Sequence, residues 1–440
     1  MNNKKWMAIL LGGIMAASLA APCSVSAAEK TTLTFWHAMG GTNGEVLQQI
    51  VDDFNASQDE IEIKAEYQGT YDDTITKLKA AMQSDSGLPD VCQMYDVGTK
   101  FMYDSGAVIP VEDKFESTGY DKSSVMDVIS SYYTVEGKQY AMPFNVSTPM
   151  LYYNKDVFEA AGLDPETPPT TYDEVLEDAK KIVESGAAPV GYSQAIYGWF
   201  FEQQLAGLGV TYGNNDNGRT EAVTAVDFDS NGGGLKVFDM WKKLYDSGYF
   251  EDYGTTTADT QTAFFSGQVG MIIESTAILK NAVDSSPFEV GTGYLPRIEQ
   301  NDEGGVIIGG GSLWLTDTGN EANEDAAWKF IEYITTPDVQ AKWSMGTGYF
   351  AINEKAYETD DMKAYLKENP NFETAINQLK DSPVNCNTAG VLSGVQTEAR
   401  LTFNEIMPQV YDGKLTTQDA VDQLAASVNK AIENYNESIK

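Results

Sequence analysis

Hydrophobic positions along the chain switch repeatedly between a spacing of two and a spacing near 3.6. Leu33 and Phe35 alternate with threonines, and Gly40, Gly41 and Gly44 then lead into Val46, Leu47, Ile50, Val51 and Phe54 at helical spacing. Ile61, Ile63, Ala65 and Tyr67 alternate again, Ile75, Leu78 and Ala81 mark a second helix, and Leu88-Pro89-Asp90 feeds a strand at Val91. Strands alternating with helices predict a parallel sheet covered by helices, whose ligand crevice lies beyond the carboxyl ends of the strands.

The alternation restarts at Met150. Met150 to Tyr153 reads as a short buried strand, Asn154-Lys155-Asp156 as the tight turn that stops it, and a short helix then runs to Gly162. Pro165, Pro168 and Pro169 hold the next connection extended, and Thr171 with Glu174 forms a capping box over the helix carrying Val175. Further on, a helix around Trp241 precedes Phe264-Phe265-Ser266-Gly267, where a helix ends at a glycine and drops into the strand Val269–Ile273. The run from Val306 to Leu315 reads as a buried strand broken by Gly309, Gly310 and Gly311, which permit close backbone approach or hinge motion. Ala327, Phe330, Ile331 and Ile334 mark another helix, and the last one buries Ala420, Leu424, Val428 and Ile432 behind Thr416 and Asp419.

Composition narrows the function. Lys4 and Lys5 precede an apolar run from Met7 to Ala21, and Val25-Ser26-Ala27 supplies small residues for cleavage, so residues 1–27 read as a signal peptide of an exported chain. Cleavage there removes Cys23, although acylation of Cys23 is the alternative. The mature chain then keeps Cys92 and Cys386, too few for a disulfide framework, with Cys92 expected as a buried thiol. One histidine, His37, leaves no room for a multi-histidine metal site, and neither metal nor cofactor is expected. With 65 acidic against 29 basic residues the net charge is −36, a surface that repels nucleic acid and anionic membrane. At 440 residues, 42% hydrophobic, the chain has ample material for two cores and shows no internal repeat.

The order strand, turn, helix, proline break, helix at 150–176 resembles the start of the second lobe in extracellular solute-binding proteins of ABC importers. Phe35-Trp36-His37, Gly69-Thr70-Tyr71, Tyr95–Thr99, Asn145–Pro149, Ile307–Gly310, Thr347-Gly348-Tyr349 and Arg400 sharpen this, being similar to the glycerol-3-phosphate and glycerophosphodiester-binding members. The resemblance implies a type II periplasmic-binding-protein fold, α/β, with a ligand cleft and hinge crossings near 143–147, 308–311 and 347–351. Residues 31–142 and 311–347 would form lobe 1, and 147–307 with 351–440 lobe 2.

It also implies a ligand set of Tyr71, Asp96, Ser147, Trp199, Ser275, Gly310, Tyr349 and Arg400. Chemically that set suits a polyol phosphate: Arg400 forks onto phosphate, hydroxyls and the Gly310 amide complete the shell, Asp96 accepts from glycerol, and Trp199 walls the carbon skeleton or faces a choline ammonium. Two departures stand out. The family's glutamate is Asp96 here, and its paired tryptophans are reduced to Trp199, with Ile196 in the other place, which favours a larger head group such as that of glycerophosphocholine. The expectation is a monomeric, non-enzymatic carrier, exported to the periplasm or the extracellular face of the membrane, delivering a glycerophosphodiester or glycerol 3-phosphate to a permease and a separate ATPase. No Gly-x4-Gly-Lys-Ser/Thr loop occurs in this chain. An oligosaccharide ligand is the nearest alternative, since Trp36, Trp199, Trp241 and Trp314 could stack on sugars. A remote one is a secreted glycoside hydrolase using two carboxylates such as Asp96 and Glu274.

Overall fold

The computed structural model describes residues 30–84 and 87–439; the expected signal peptide, residues 1–27 with Cys23, lies outside the described residues. Twelve strands are numbered in chain order. The first sheet contains β1 (Thr31–His37), β2 (Ile61–Tyr67), β3 (Val91–Tyr95), β4 (Val108–Ile109), β7 (Met142–Ser147) and β12 (Gly309–Thr316), in the order β2-β1-β3-β12-β4 with β7 also paired to β12. The second contains β8 (Pro149–Asn154), β9 (Val190–Ser193), β10 (Val269–Ser275) and β11 (Val290–Gly293), in the order β11-β8-β10-β9. A small hairpin, β5 (Thr134–Val135) with β6 (Lys138–Gln139), lies apart from both.

The expected parallel pairing holds for β1 with β2 and β3 and for β9 with β10. It fails elsewhere: β12 runs antiparallel to β3, β4 and β7, and β8 antiparallel to β10 and β11. The reason is connectivity. Only Thr148 separates β7 of one sheet from β8 of the other, and β12 returns to the first sheet straight after the second, so these strands enter their sheets from the wrong end for a βαβ crossover.

Local signals are mostly realised. Thr171 and Glu174 close the expected capping box on the helix Tyr172–Ser185. A second box, Thr70 with Asp73, starts the helix Tyr71–Met82 and so fixes Tyr71 in its first turn. Asn154-Lys155-Asp156 is not a free turn. Asn154 ends β8 and its side chain accepts from the Val157 amide, capping the helix Lys155–Ala160 with no intervening residue. The 306–315 run is extended strand only from Gly309.

Phe35 packs edge-on against Phe330 in the core of the first half, and Phe201, Phe238, Trp241 and Phe403 form the aromatic centre of the second. Within the second half, glutamines hold the backbone. Gln203 donates to the Ile307 carbonyl and accepts from its amide, both at 2.8 Å. Gln378 donates to the Pro149 carbonyl at 2.7 Å and accepts from the Leu295 amide. Cys92 is buried and Cys386 half-buried, and both are free thiols.

Candidate functional site

The site is assembled from both halves. From the second comes the helix Gly198–Gly207, whose first residue lies against the helix Gln396–Tyr411. A Cβ on Gly198 would stand 2.5 Å from the Arg400 Cα, so only glycine permits this approach. Asn404 Oδ1 accepts from the Gly198 amide at 2.9 Å, satisfying one orphan donor of the helix start. One turn on, Glu202 sits on the same face as Gly198 and so meets Arg400. Arg400 donates from Nε to Glu202 Oε1 at 2.8 Å and from Nη2 to Glu202 Oε2 at 2.7 Å. Gln396, one turn before Arg400, donates to Glu202 Oε1 at 2.9 Å.

From the first half comes Asp96, directly after β3. Its Oδ2 accepts from Arg400 Nη2 at 2.7 Å, an ion pair spanning 304 positions of sequence. All three groups are buried, with Arg400, Asp96 and Glu202 at 7%, 5% and 7% exposure. Burial alone would lower the Arg400 pKa, but the Asp96 and Glu202 carboxylates beside it push it well above its ordinary value. Burial raises the Glu202 carboxyl, against the pull of the guanidinium. Both its oxygens nevertheless accept N–H bonds, the pattern of an ionised carboxylate.

Here the structure corrects the sequence reading in two respects. The forked face of Arg400 is taken by Glu202, which the sequence reading did not single out, and Asp96 accepts from Arg400. What Arg400 can still offer is Nη1, which has no hydrogen-bond partner among the described residues. Tyr197, half-exposed, lies with its ring centre 6.0 Å from the guanidinium carbon. Glu202 was findable: it is the one carboxylate in the helix, following the apolar run Trp199-Phe200-Phe201.

The other expected residues fall into three groups. Tyr71 stacks on Tyr95 at 5.0 Å between ring centres, and its hydroxyl accepts from Asn145 Nδ2 at 2.7 Å. Asn145 is itself held by Gln93 Nε2, also at 2.7 Å. Tyr95 reaches across the cleft, sharing a 2.8 Å hydrogen bond with Thr397 one turn before Arg400. Tyr349 stacks on Trp343 at 5.6 Å. Burial raises the phenol pKa of both Tyr71 and Tyr349, keeping them neutral hydroxyls at physiological pH.

Gly310 has φ +92°, and a Cβ there would stand 1.9 Å from the Asn145 carbonyl oxygen, so the Gly310 backbone lies against the Tyr71–Asn145 pair. Trp199 packs over the neighbouring Gly309, where a Cβ would meet its ring at 2.8 Å. Ser147 pairs with Gly309 in the ladder between β7 and β12. Ser275 is partly committed: its Oγ accepts from the Ala277 amide and its carbonyl from the Tyr152 hydroxyl. His37, set aside as structural, is buried with Nδ1 accepting from the Met39 amide at 3.3 Å. A separate cavity of about 720 Å³, lined by Tyr153, Arg297, Asn371 and Gln378 among others, contains none of the eight expected residues.

Comparison with known proteins identifies the family. Residues 49–374 match the family described as bacterial extracellular solute-binding protein. The chain is 31% identical over 417 residues to the sn-glycerol-3-phosphate-binding periplasmic protein UgpB of Escherichia coli (strain K12), covering 93% of this chain and 94% of that one. Among solved structures it is similar to UgpB from Mycobacterium tuberculosis in complex with glycerophosphocholine, at TM-score 0.79 and 20% identity, covering 92% of this chain and 99% of the other. It is similar also to the cyclic alpha-maltosyl-1,6-maltose binding protein from Arthrobacter globiformis, at TM-score 0.76 and 26% identity, covering 92% and 100%. No helix among the described residues is long and apolar enough to cross a membrane. Two sheets joined at Thr148, a buried Arg400–Asp96 pair linking the end of β3 to a helix 304 positions on, and a family match over most of the chain place this protein among the bacterial extracellular solute-binding proteins, the ligand-capturing components of ABC importers.

Proposed function

We propose that the cleft captures a glycerophosphodiester, glycerophosphocholine in particular, or sn-glycerol 3-phosphate, and presents it to a membrane permease. The observation that carries this is Arg400. It is a buried guanidinium paired with Glu202 and, across 304 positions of sequence, with Asp96; its Nη1 has no hydrogen-bond partner among the described residues, and Tyr71 and Tyr349 are neutral hydroxyls. Nη1 would donate to a phosphate oxygen, the tyrosines and the Gly310 amide would complete its shell, and Trp199 would pack on the glycerol carbons. Ser147 and Ser275 would add hydroxyls from the strand ends. In this reading Asp96 acts through Arg400, with glycerol reaching its second oxygen. The E. coli relative named for sn-glycerol 3-phosphate and the glycerophosphocholine complex of the M. tuberculosis protein point the same way.

The division into residues 31–142 with 311–347, and 147–307 with 351–440, belongs to the same proposal. So do export through the amino-terminal signal peptide and action as a monomer. Binding without turnover suits a cleft in which Asp96 is tied to Arg400 and Glu274 to Gln261.

One observation favours a second reading. The charge of Arg400 is already balanced by two carboxylates, which suits a neutral oligosaccharide, and the Arthrobacter relative is named for a cyclic maltosyl-maltose. Isothermal titration calorimetry of the chain from Ala28 onward with glycerophosphocholine, sn-glycerol 3-phosphate and maltose separates them. Arg400→Lys keeps a cation for Glu202 and Asp96 while losing the planar fork. Saturable binding of a phosphate ester that weakens in this variant is the expected result; binding of maltose alone, insensitive to Arg400, would replace the phosphate reading with the sugar one.

A further inference from the structure

We infer that Glu202 sets the charge class of the ligand: by occupying the forked face of Arg400 it makes the cleft accept a phosphodiester with a cationic head group over the same phosphodiester with an uncharged one. The inference rests on the phosphodiester reading above and concerns a residue that binds Arg400 rather than the ligand.

Glu202 takes both prongs of Arg400 and a third bond from Gln396, all within 2.7–2.9 Å, and is 7% exposed. It is carried with Arg400 on the second half, so the pair persists whether or not the halves meet. Asp96 joins it from the first half only across the cleft. One guanidinium against two carboxylates leaves a net negative cluster at the point where a phosphate would bind. Glu274 is also buried, 5% exposed, with no cation among the described residues: its oxygens accept from Gln261 at 3.0 Å and the Ser275 amide at 2.7 Å. Tyr197, its ring over Arg400 and 6.2 Å from that of Trp199, lies within electrostatic reach of both Glu202 and Glu274.

Aromatic faces beside excess negative charge are what an ammonium group requires. A phosphate bound through Nη1 alone still gains a charge-assisted hydrogen bond, but its own charge meets the surplus carboxylate. A second, positive end on the same ligand cancels that penalty. For one uncompensated charge about 6–8 Å away at an effective dielectric near 20, the preference is on the order of tenfold to a hundredfold.

The test is calorimetric titration of wild type, Glu202→Gln and Glu202→Asp with glycerophosphocholine and glycerophosphoglycerol. These two diesters share one phosphate, and its ionisation does not change from pH 5 to 8. Wild type should prefer the choline ester, and Glu202→Asp should keep that preference. Glu202→Gln should shrink the ratio tenfold or more, by tightening the glycerol ester. Equal weakening of both diesters in Glu202→Gln, or an unchanged ratio, would reduce Glu202 to a mere support of Arg400 and overturn the inference. Should Glu202→Gln fail to fold, the wild-type ratio at about 0.02 and 0.5 M salt decides: screening should narrow it, and a salt-independent preference overturns the inference. If wild type binds neither diester, the phosphodiester reading falls and takes this inference with it; if it binds both and the ratio does not respond to Glu202, only the inference falls.

Discussion

Replacing Arg400 by leucine removes the one cation from a cluster of buried acids, and the structure gives the size and pH dependence of the loss. Asp96, although as buried as Glu202, sits on the other half and regains water when the halves part. Glu202 cannot: it is buried within the second half and would keep only Gln396. Rather than remain charged without a partner, its carboxyl will take up a proton on folding. Holding that proton at pH 7.5 against an unfolded pKa of ~4.3 costs about 4 kcal/mol, and at pH 5.5 about 1.6 kcal/mol. The sign follows from proton counts. In the variant the native state binds more protons than the unfolded state, so stability falls as pH rises above the unfolded pKa and continues to fall up to the raised native one. Urea unfolding of wild type and Arg400→Leu, followed by circular dichroism at both pH values, should show a penalty more than 2 kcal/mol larger at pH 7.5. The double variant Arg400→Leu with Glu202→Met should recover most of it, since an apolar pair replaces an orphaned charge. A penalty under 1 kcal/mol, one equal at the two pH values, or a double variant no better than the single would refute the reasoning.

Arg219 makes a second junction between the halves: Nη1 donates to the Tyr132 carbonyl at 2.9 Å and Nε to the Gly390 carbonyl at 3.0 Å, and the guanidinium lies 5.3 Å from the Tyr132 ring centre. It follows three non-glycine residues in left-handed conformation, Asn215, Asp216 and Asn217, at φ 56°, 52° and 59°. Arg219→Gln should therefore loosen closure, lowering affinity by one common factor for every ligand and enlarging the radius of gyration in small-angle scattering; unchanged scattering and affinity would refute this. His37 is pushed down to about 4 by burial, so its contribution is present above pH ~6.5 and lost as pH falls towards 4, by at most about 3 kcal/mol. His37→Gln should flatten the stability profile in that window, which pH-stepped thermal melts would reveal, and an unaltered acid limb would count against it.

What the chain decides by itself is whatever depends on neighbours a few positions away. The alternation at 31–37, the capping box of Thr171 with Glu174 and the buried run 150–153 all name their elements, because the hydrogen bonds and the periodicity involved are local. Arg400, Tyr71 and Tyr349 are singled out by the resemblance to the solute-binding family, their chemistry by itself leaving a surface ion pair and rim packing open. The surroundings are another matter. Asn154 reads as a turn, yet it caps a helix; β8 and β12 read as parallel strands, yet they run antiparallel because each enters its sheet by crossing from the other half. Most of all, the partners of Arg400 lie 198 and 304 positions away, one of them in the opposite half. Glu202 did not stand out in the sequence reading at all, and Asp96 looked like a ligand contact. Their roles follow only when Gly198 lets two helices meet and closure brings the end of β3 to the same guanidinium, for the energy of a buried charge is fixed by what surrounds it in space.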